Sequence, residues 1–341
     1  MASVILRPDF ITERDEKKHS LEPNMPFNIF VTRKIPQAGL DLLSPTFSVS
    51  VNPFDRDLRR SELIEHTKDA DALICLLTDV IDRSVIDSAP RLKCISNYAV
   101  GYNNIDVEYA TSNGIVVCNT PGVLTESTAD LAWALIMSCA RRIVESDSFT
   151  RASHFKGWEP MLMLGQDVHN KTLGIVGMGR IGLAVARRAK GFNMKVLGYN
   201  RSPQKAEEKE LWQQVDLPTL LQESDFVSLH LPLTDETHHL LGEKELRMMK
   251  RNAILINTAR GAVVDETALI RLLKQERIAG AGFDVYEQEP YIPKELMELK
   301  NVVLLPHIGS ASIETRTEMA IMAAKNAIAV IKEKEPLARV N

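Results

Sequence analysis

The hexapeptide Gly177-Met178-Gly179-Arg180-Ile181-Gly182 follows the apolar run 172–176 and leads into helix-forming residues. Glycines at a strand end let a backbone pass close to a pyrophosphate, and the free N–H groups of the helix that follows meet its charge. Gly182 permits that helix to pack tightly on the strand. A GxGxxG pattern alone is weak, but this strand–turn–helix setting predicts a dinucleotide site. Five further apolar runs end in residues suited to cofactor or acid–base chemistry: Asn200-Arg201-Ser202, His230-Leu231-Pro232, Thr258-Ala259-Arg260, Asp284 and His307-Ile308-Gly309. In an open parallel sheet ligands bind beyond the carboxyl ends of the strands, so these residues belong to one cleft.

An NAD-preferring site carries Asp or Glu at the end of its second strand, placed to bond the ribose 2′-hydroxyl. Asn200-Arg201-Ser202 offers a cation and a hydroxyl instead, with no carboxylate adjacent. That composition suits a 2′-phosphate, so NADP(H) is the expected cofactor and NAD(H) the second candidate; the alternative is a solvent-facing turn indifferent to the phosphate. Reducing the carbonyl of an anionic substrate needs a fixed cation, a proton donor and a group that keeps the donor charged. Arg260, His307 and Glu289 match those three tasks.

Competing chemistries lack support. There is no GxSxG elbow, HExxH or GxxxxGK[ST] pattern. Adjacent His238-His239 would not share a direction on a helix as i,i+4 ligands do, so they are assigned to a loop surface and no metal is expected. The four cysteines, Cys75, Cys94, Cys118 and Cys139, form no CxxC pair, which argues against a zinc site or a disulfide framework and for a cytoplasmic setting. A formal charge of −4 without a dense basic block argues against nucleic acid. No apolar run reaches membrane-spanning length, and residues 1–26 contain only Val4-Ile5-Leu6 where a signal peptide needs a longer core. Those 26 residues are polar and aperiodic and are expected to form a flexible tail; a start at Met25 explains them equally well.

The elements that must position the chemistry follow from the pattern of apolar runs. With 341 residues, 45% of them hydrophobic, the chain is long enough for two cores. Runs at 28–32, 48–51, 72–76, 92–96 and 115–118 alternate with helical stretches, and a second series occupies 172–176, 195–199, 226–229, 253–256, 279–283 and 302–305. The runs are continuously apolar, as in parallel strands covered on both faces, which predicts an α/β fold with two doubly wound parallel-sheet domains. A helix over 125–147, opened by a Thr or Ser cap, lacks charge between Leu131 and Ala140; it is buried either in the core or in a subunit contact, and a homodimer is expected. A last helix over 311–334 is expected to pack back on the first domain.

Several segments jointly resemble the D-isomer-specific 2-hydroxyacid dehydrogenases, most closely the glyoxylate/hydroxypyruvate reductase branch. They are Asn97-Tyr98-Ala99-Val100-Gly101-Tyr102-Asn103-Asn104-Ile105-Asp106, Thr128-Ala129-Asp130-Leu131-Ala132, the 174–182 loop, Thr258-Ala259-Arg260-Gly261, Asp284-Val285-Tyr286 through Glu289-Pro290, and Pro306-His307-Ile308-Gly309-Ser310. The resemblance runs from Phe27 to the C-terminus. It implies a flavodoxin-like substrate domain, 27–124 with 309–341, and an inserted Rossmann NAD(P)-binding domain, 125–308. By the same likeness Arg260 clamps a 2-oxoacid through its carboxylate and carbonyl oxygens, and the amides of Val100 and Gly101 hold the carboxylate from the other side. Leu76 and Leu77 line the pocket, Asp284 binds the nicotinamide carboxamide, and His307, stabilised in its protonated form by Glu289, gives its proton to the carbonyl oxygen. Relatives of other kinds include dinucleotide-sensing corepressors and phosphite-type dehydrogenases. The latter carry a lysine where this chain has the apolar loop Ala99-Val100-Gly101, which favours a small 2-oxoacid such as glyoxylate, hydroxypyruvate or 2-ketogluconate.

Overall fold

The computed structural model describes residues 27–341; the expected tail, 1–26, lies outside them. The apolar runs form two fully parallel sheets. The first comprises β1 (Asn28–Val31), β2 (Ser48–Val51), β3 (Ala72–Cys75), β4 (Cys94–Asn97) and β5 (Val116–Cys118) in the order β2-β1-β3-β4-β5. The second comprises β6 (Thr172–Val176), β7 (Lys195–Tyr199), β8 (Gln213–Gln214), β9 (Phe226–Leu229), β10 (Ile254–Asn257), β11 (Gly280–Phe283) and β12 (Val302–Leu304) in the order β12-β11-β10-β9-β6-β7-β8. Every pairing is parallel.

Burial explains why these runs carry no alternation. Strands β3, β4, β9, β10 and β11 are buried at every position, because apolar cores cover both faces of each sheet. Strand order reverses beside β1 in the first sheet and beside β6 in the second, and the glycine hexapeptide begins directly after β6. The crevice at such a reversal is where helix N-termini converge on a ligand.

Two expected elements differ in detail. The helix over 125–147 is two helices, Thr125–Ala140 and Ile143–Arg151, separated at Arg142, which takes a left-handed φ of 53°. The interruption arises where residues 164–166 cross the helix end: the Gln166 amide donates to the Ala140 carbonyl at 2.8 Å, a group the continued helix would have used. The expected cap is also absent, for Leu124 occupies the N-cap and no side chain caps the helix. Strand β8 has no sequence signal, since two glutamines carry no apolar pattern. Its register against Leu197 and Gly198 completes the edge of the second sheet.

The apolar face of Thr125–Ala140 is buried within the chain. Trp133 stacks on Phe192 at 4.5 Å and donates its indole N–H to the Val185 carbonyl at 3.1 Å, fixing this helix on the helix Arg180–Ala189. After β12 the chain returns to the first sheet through the helix Ile313–Ile331, capped by Ser312, whose hydroxyl accepts from the Thr315 amide at 3.1 Å. Ala320, Ala323, Ala324 and Ala327 let the helix approach closely, and the Ser96 hydroxyl donates to the Ala323 carbonyl at 2.9 Å. Among the described helices none is long and apolar enough to cross a membrane.

Asn326 on this helix is fully buried and bridges two backbone segments: its amide donates to the Asn119 carbonyl at 3.0 Å and its oxygen accepts from the Ala338 amide at 3.2 Å. Asn326→Ala leaves both backbone groups without a partner, so chemical denaturation should show a loss of about 2–4 kcal/mol. An unchanged denaturation midpoint would contradict this account of how the C-terminal segment is held.

Candidate functional site

The loops beyond the carboxyl ends of both sheets carry the residues with chemical potential. His307 lies two residues past Leu305, in a left-handed conformation with φ 56°. Its loop is held by Asp284, just beyond β11, whose carboxylate accepts from the Ile308 and Gly309 amides at 2.7 Å each. Asp284 is almost wholly buried, and burial raises its pKa against the effect of those amides and of His307. Positioning His307 is therefore a role that the sequence reading did not assign to it.

Glu289 is set on the same frame. It accepts from the Tyr286 amide at 2.9 Å through one oxygen, and its other oxygen meets His307 Nδ1 at 2.7 Å. Tyr286 is itself anchored by donation from its hydroxyl to the Leu305 carbonyl at 2.8 Å. With Nδ1 engaged, Nε2 is the ring nitrogen left for a substrate. Burial alone would raise the Glu289 pKa; the hydrogen bond and charge of His307, the Tyr286 amide and the Arg260 charge outweigh it and hold the carboxyl below its ordinary range.

Arg260 follows the buried Asn257, which bonds the turn twice: its side-chain amide donates to the Arg260 carbonyl at 2.9 Å and its oxygen accepts from the Ala259 amide at 3.0 Å. The guanidinium reaches the loop after β4 so closely that a Cβ built on Gly101 would lie 1.7 Å from its Nη2. Any side chain at 101 would displace it. Burial lowers the Arg260 pKa and the Glu289 charge opposes this, but a guanidinium stays a cation.

The loop holding Val100 and Gly101 is braced by three asparagines. Asn97 donates to the Gly101 carbonyl at 2.8 Å, Asn119 to the Val100 carbonyl at 2.8 Å, and Asn104 to the Leu76 carbonyl at 3.0 Å. Sequence reasoning assigned no role to Asn97, Asn119 and Asn257, although a buried polar residue ending an apolar strand was a usable signal at 97 and 257. Asn103 donates to the Leu233 carbonyl at 3.0 Å, joining the loops of the two sheets; an aspartate there has no N–H for that bond. Leu76 is partly buried, its amide donating to Asp79 at 2.7 Å, whereas Leu77 is exposed.

The hexapeptide behaves as its glycines require. Gly177 has φ 100°, and a Cβ there would meet the His230 carbonyl and the Leu231 side chain at 2.7 Å. Around Gly179 nothing lies within 4 Å of such a Cβ, and no side chain caps the helix that it opens, so its first N–H groups are free. Met178 buries its side chain, leaving its backbone for a ligand, whereas Ala259 is buried with its amide on Asn257 and its carbonyl accepting from Arg260 Nη1 at 2.6 Å; Ile181 packs between the cores of both sheets. Thr258 has a buried hydroxyl without a partner. An open cradle, an uncapped helix start and an orphaned hydroxyl fit a dinucleotide.

Burial pushes the His230 imidazole down to about 3, so it is neutral near pH 7; its Nε2 lies 2.8 Å from the Ser228 hydroxyl. Pro232 is exposed at the same edge. Beyond β7, Asn200 bonds the Ser202 carbonyl at 3.3 Å, Gln214 tethers both residues, and Arg201 is exposed. One carboxylate outside the 200–202 turn feels the Arg201 charge. Glu236, from the loop after β9, is held below the ordinary carboxylate range first by the Thr234 hydroxyl, with Arg201 contributing through its charge. Only tertiary folding brings that loop to the end of β7. His238 and His239 do lie on a loop, but their rings stack at 4.1 Å instead of diverging, because His239 adopts φ 49°.

A carboxyl whose folded pKa lies below its unfolded value contributes stability above the unfolded pKa and loses it as pH falls through the folded one. Glu289, ordinarily at 4.5, is of this kind. Acid titration of unfolding stability should therefore give Glu289→Gln a shallower acid limb than the wild type; identical limbs would show that the His307 contact contributes nothing.

Comparison with known proteins places this geometry. The model of the D-isomer specific 2-hydroxyacid dehydrogenase NAD-binding domain matches residues 133–309. The glyoxylate reductase of Korarchaeum cryptofilum is 55% identical over 316 residues, covering 92% of this chain and 95% of that protein. The glyoxylate reductase of Thermococcus litoralis is 53% identical over 318 residues, covering 92% and 96%. Among solved structures, the NADPH-dependent glyoxylate/hydroxypyruvate reductase of Sinorhizobium meliloti, in complex with NADP and malonate, superposes with a TM-score of 0.82 at 31% identity, covering 92% of this chain and 97% of that one. The cradle after β6, the strand-end residues and these similarities lead to one assignment: the chain belongs to the D-isomer specific 2-hydroxyacid dehydrogenase family and is an NAD(P)-dependent oxidoreductase.

Proposed function

We propose that this enzyme reduces small 2-oxoacids, glyoxylate and hydroxypyruvate foremost, to D-2-hydroxyacids, with NADPH preferred to NADH. The observation that carries the reading is the Glu289–His307 pair at 2.7 Å beside a cation that presses on a backbone loop from the other sheet. The names of the archaeal relatives support glyoxylate, and that of the Sinorhizobium enzyme supports NADPH.

In this scheme the guanidinium of Arg260 and the amides of Val100 and Gly101 fix the substrate carboxylate, and Arg260 also polarises the carbonyl. A reduced nicotinamide, when bound, supplies the hydride to the carbonyl carbon. His307 delivers the proton from Nε2 to the carbonyl oxygen, and Glu289 stabilises the imidazolium before transfer. Gly177 to Gly182, His230 to Pro232, Thr258, Ala259, Asp284 and Gly309 form the cofactor cleft, with Leu76 and Leu77 at the substrate end. The segments 27–124 with 309–341 and 125–308 act as two domains that close on the substrate and exclude water.

Arg201 would bind the 2′-phosphate; its electrostatic partner Glu236 moderates that preference without abolishing it. A homodimer is the natural cover for an apolar stretch after the helix Thr125–Ala140, where Trp158 is 84% and Met161 75% exposed and Ile143, Val144, Phe155 and Leu164 are about half exposed. Four free cysteines fit a reducing, cytoplasmic setting.

Initial rates of glyoxylate and hydroxypyruvate reduction, followed by oxidation of NADPH or NADH, test the reading directly. Nucleotide binding without turnover on either acid would refute it and favour a dinucleotide-sensing role. His307→Gln should lower kcat roughly 10²–10⁴-fold with nucleotide affinity preserved; turnover at the wild-type rate would remove His307 as the proton donor. Arg201→Ala should weaken NADPH far more than NADH, and equal losses would place the 2′-phosphate elsewhere.

A further inference from the structure

Outside the cofactor cleft, a second group of side chains converges where the loop after β9 meets the loop after β11. His239 Nε2 lies 2.9 Å from Glu287 Oε1, the His238 ring stacks on that of His239, and one ligand-type atom from each of the three residues lies within 4.8 Å of the others. The histidine loop is pinned by backbone bonds: the His238 amide donates to the Thr234 carbonyl at 2.9 Å, and the His239 amide to the Ala262 carbonyl at 2.8 Å. Glu287 and Glu289 are two residues apart on one loop, yet Glu289 turns to His307 and Glu287 to His239.

The surroundings are built for positive charge. A cavity of about 410 Å³ opens beside Glu287, lined also by Glu266, Tyr291 and Glu295. Glu266 is only 9% exposed, and its amide lies 3.4 Å from Glu287 Oε2.

We propose that His238, His239 and Glu287 form a binding site for a divalent transition-metal ion of the zinc type, with Glu266, which lines the cavity beside Glu287, as a nearby counter-charge. Two imidazoles and one carboxylate are a donor set for zinc, cobalt or nickel, whereas calcium and magnesium select oxygen. Ligand atoms about 2.0–2.1 Å from a tetrahedral zinc stand about 3.3 Å apart. The His239–Glu287 contact is already near that spacing, and the exposed His238 ring closes the remainder by rotation about its side-chain torsions. The ion joins the turn around residue 238 to the loop that carries Glu289, stiffening the support of the His307 pair without touching substrate.

Calorimetric titration of the full-length, chelator-stripped protein with zinc chloride tests this. The expected result is one equivalent bound, with affinity reduced at least tenfold in His238→Asn and in Glu287→Gln, and a zinc-dependent rise in Tm that both variants lose. His238→Asn alters an exposed ring and keeps the test decisive where Glu287→Gln fails to fold. Substitution by cobalt should give visible bands of nitrogen and oxygen ligation without thiolate charge transfer. Absence of binding, unchanged affinity in His238→Asn, or a thiolate band would each overturn the proposal, whatever the outcome of the reductase assays.

Discussion

The site depends on a buried carboxylate that holds a backbone in an unfavourable conformation. His307 sits at φ 56°, a left-handed region that costs a non-glycine residue about 1 kcal/mol or more. Asp284, accepting from the amides of Ile308 and Gly309, more than offsets this, since bonds to a charged acceptor contribute about 1.5–3 kcal/mol each. The same contacts aim the ring so that Nδ1 meets Glu289 and Nε2 is left for other work. Asp284 is thus placed one step behind His307, and the direction of the imidazole follows from it.

A second constraint is electrostatic. Arg260, Glu289 and His307 are drawn together in a partly buried space, where each charge is costly alone and tolerable only in company. Burial pulls the Arg260 pKa down while Glu289 pulls it up, and burial raises Glu289 while His307 and Arg260 lower it. The balance leaves a cation and an anion fixed before any substrate arrives, which is what electrostatic preorganisation requires. Asn257 serves the same end by holding the turn that carries Arg260, and the asparagines at 97, 104 and 119 brace the loop on which the guanidinium presses.

The contact between Arg260 and the Gly101 loop relates the two sheets. No side chain at 101 fits beside the guanidinium, so the residue after Val100 is fixed by a partner 159 positions further along the chain. Asn103, bonded to the Leu233 carbonyl, adds a second link between the same loops. These links make the cleft one unit even though its parts come from separate cores.

Continuous apolar runs and their turn residues were enough to establish parallel sheets, the order of strands along the chain and the glycine cradle, because burial on both faces and the reach of a pyrophosphate act on neighbouring residues. Residue types at strand ends likewise marked Arg260, Asp284 and His307, and Glu289 was singled out as the group that would keep a proton donor charged. Long-range packing determined the rest. The break at Arg142 comes from residues 164–166 crossing the end of the helix Thr125–Ala140, the two-residue strand Gln213–Gln214 forms only because β7 offers an open edge, and Glu236 feels the Arg201 charge through the fold of a distant loop. The stacking of His238 on His239 and the engagement of both Asp284 oxygens were equally hidden, since they depend on backbone torsions and on partners that no local pattern encodes. The sequence by itself determined which chemistry was available and at which end of the strands it lay; the tertiary structure decided which groups face one another, because contacts between separated segments are set by packing.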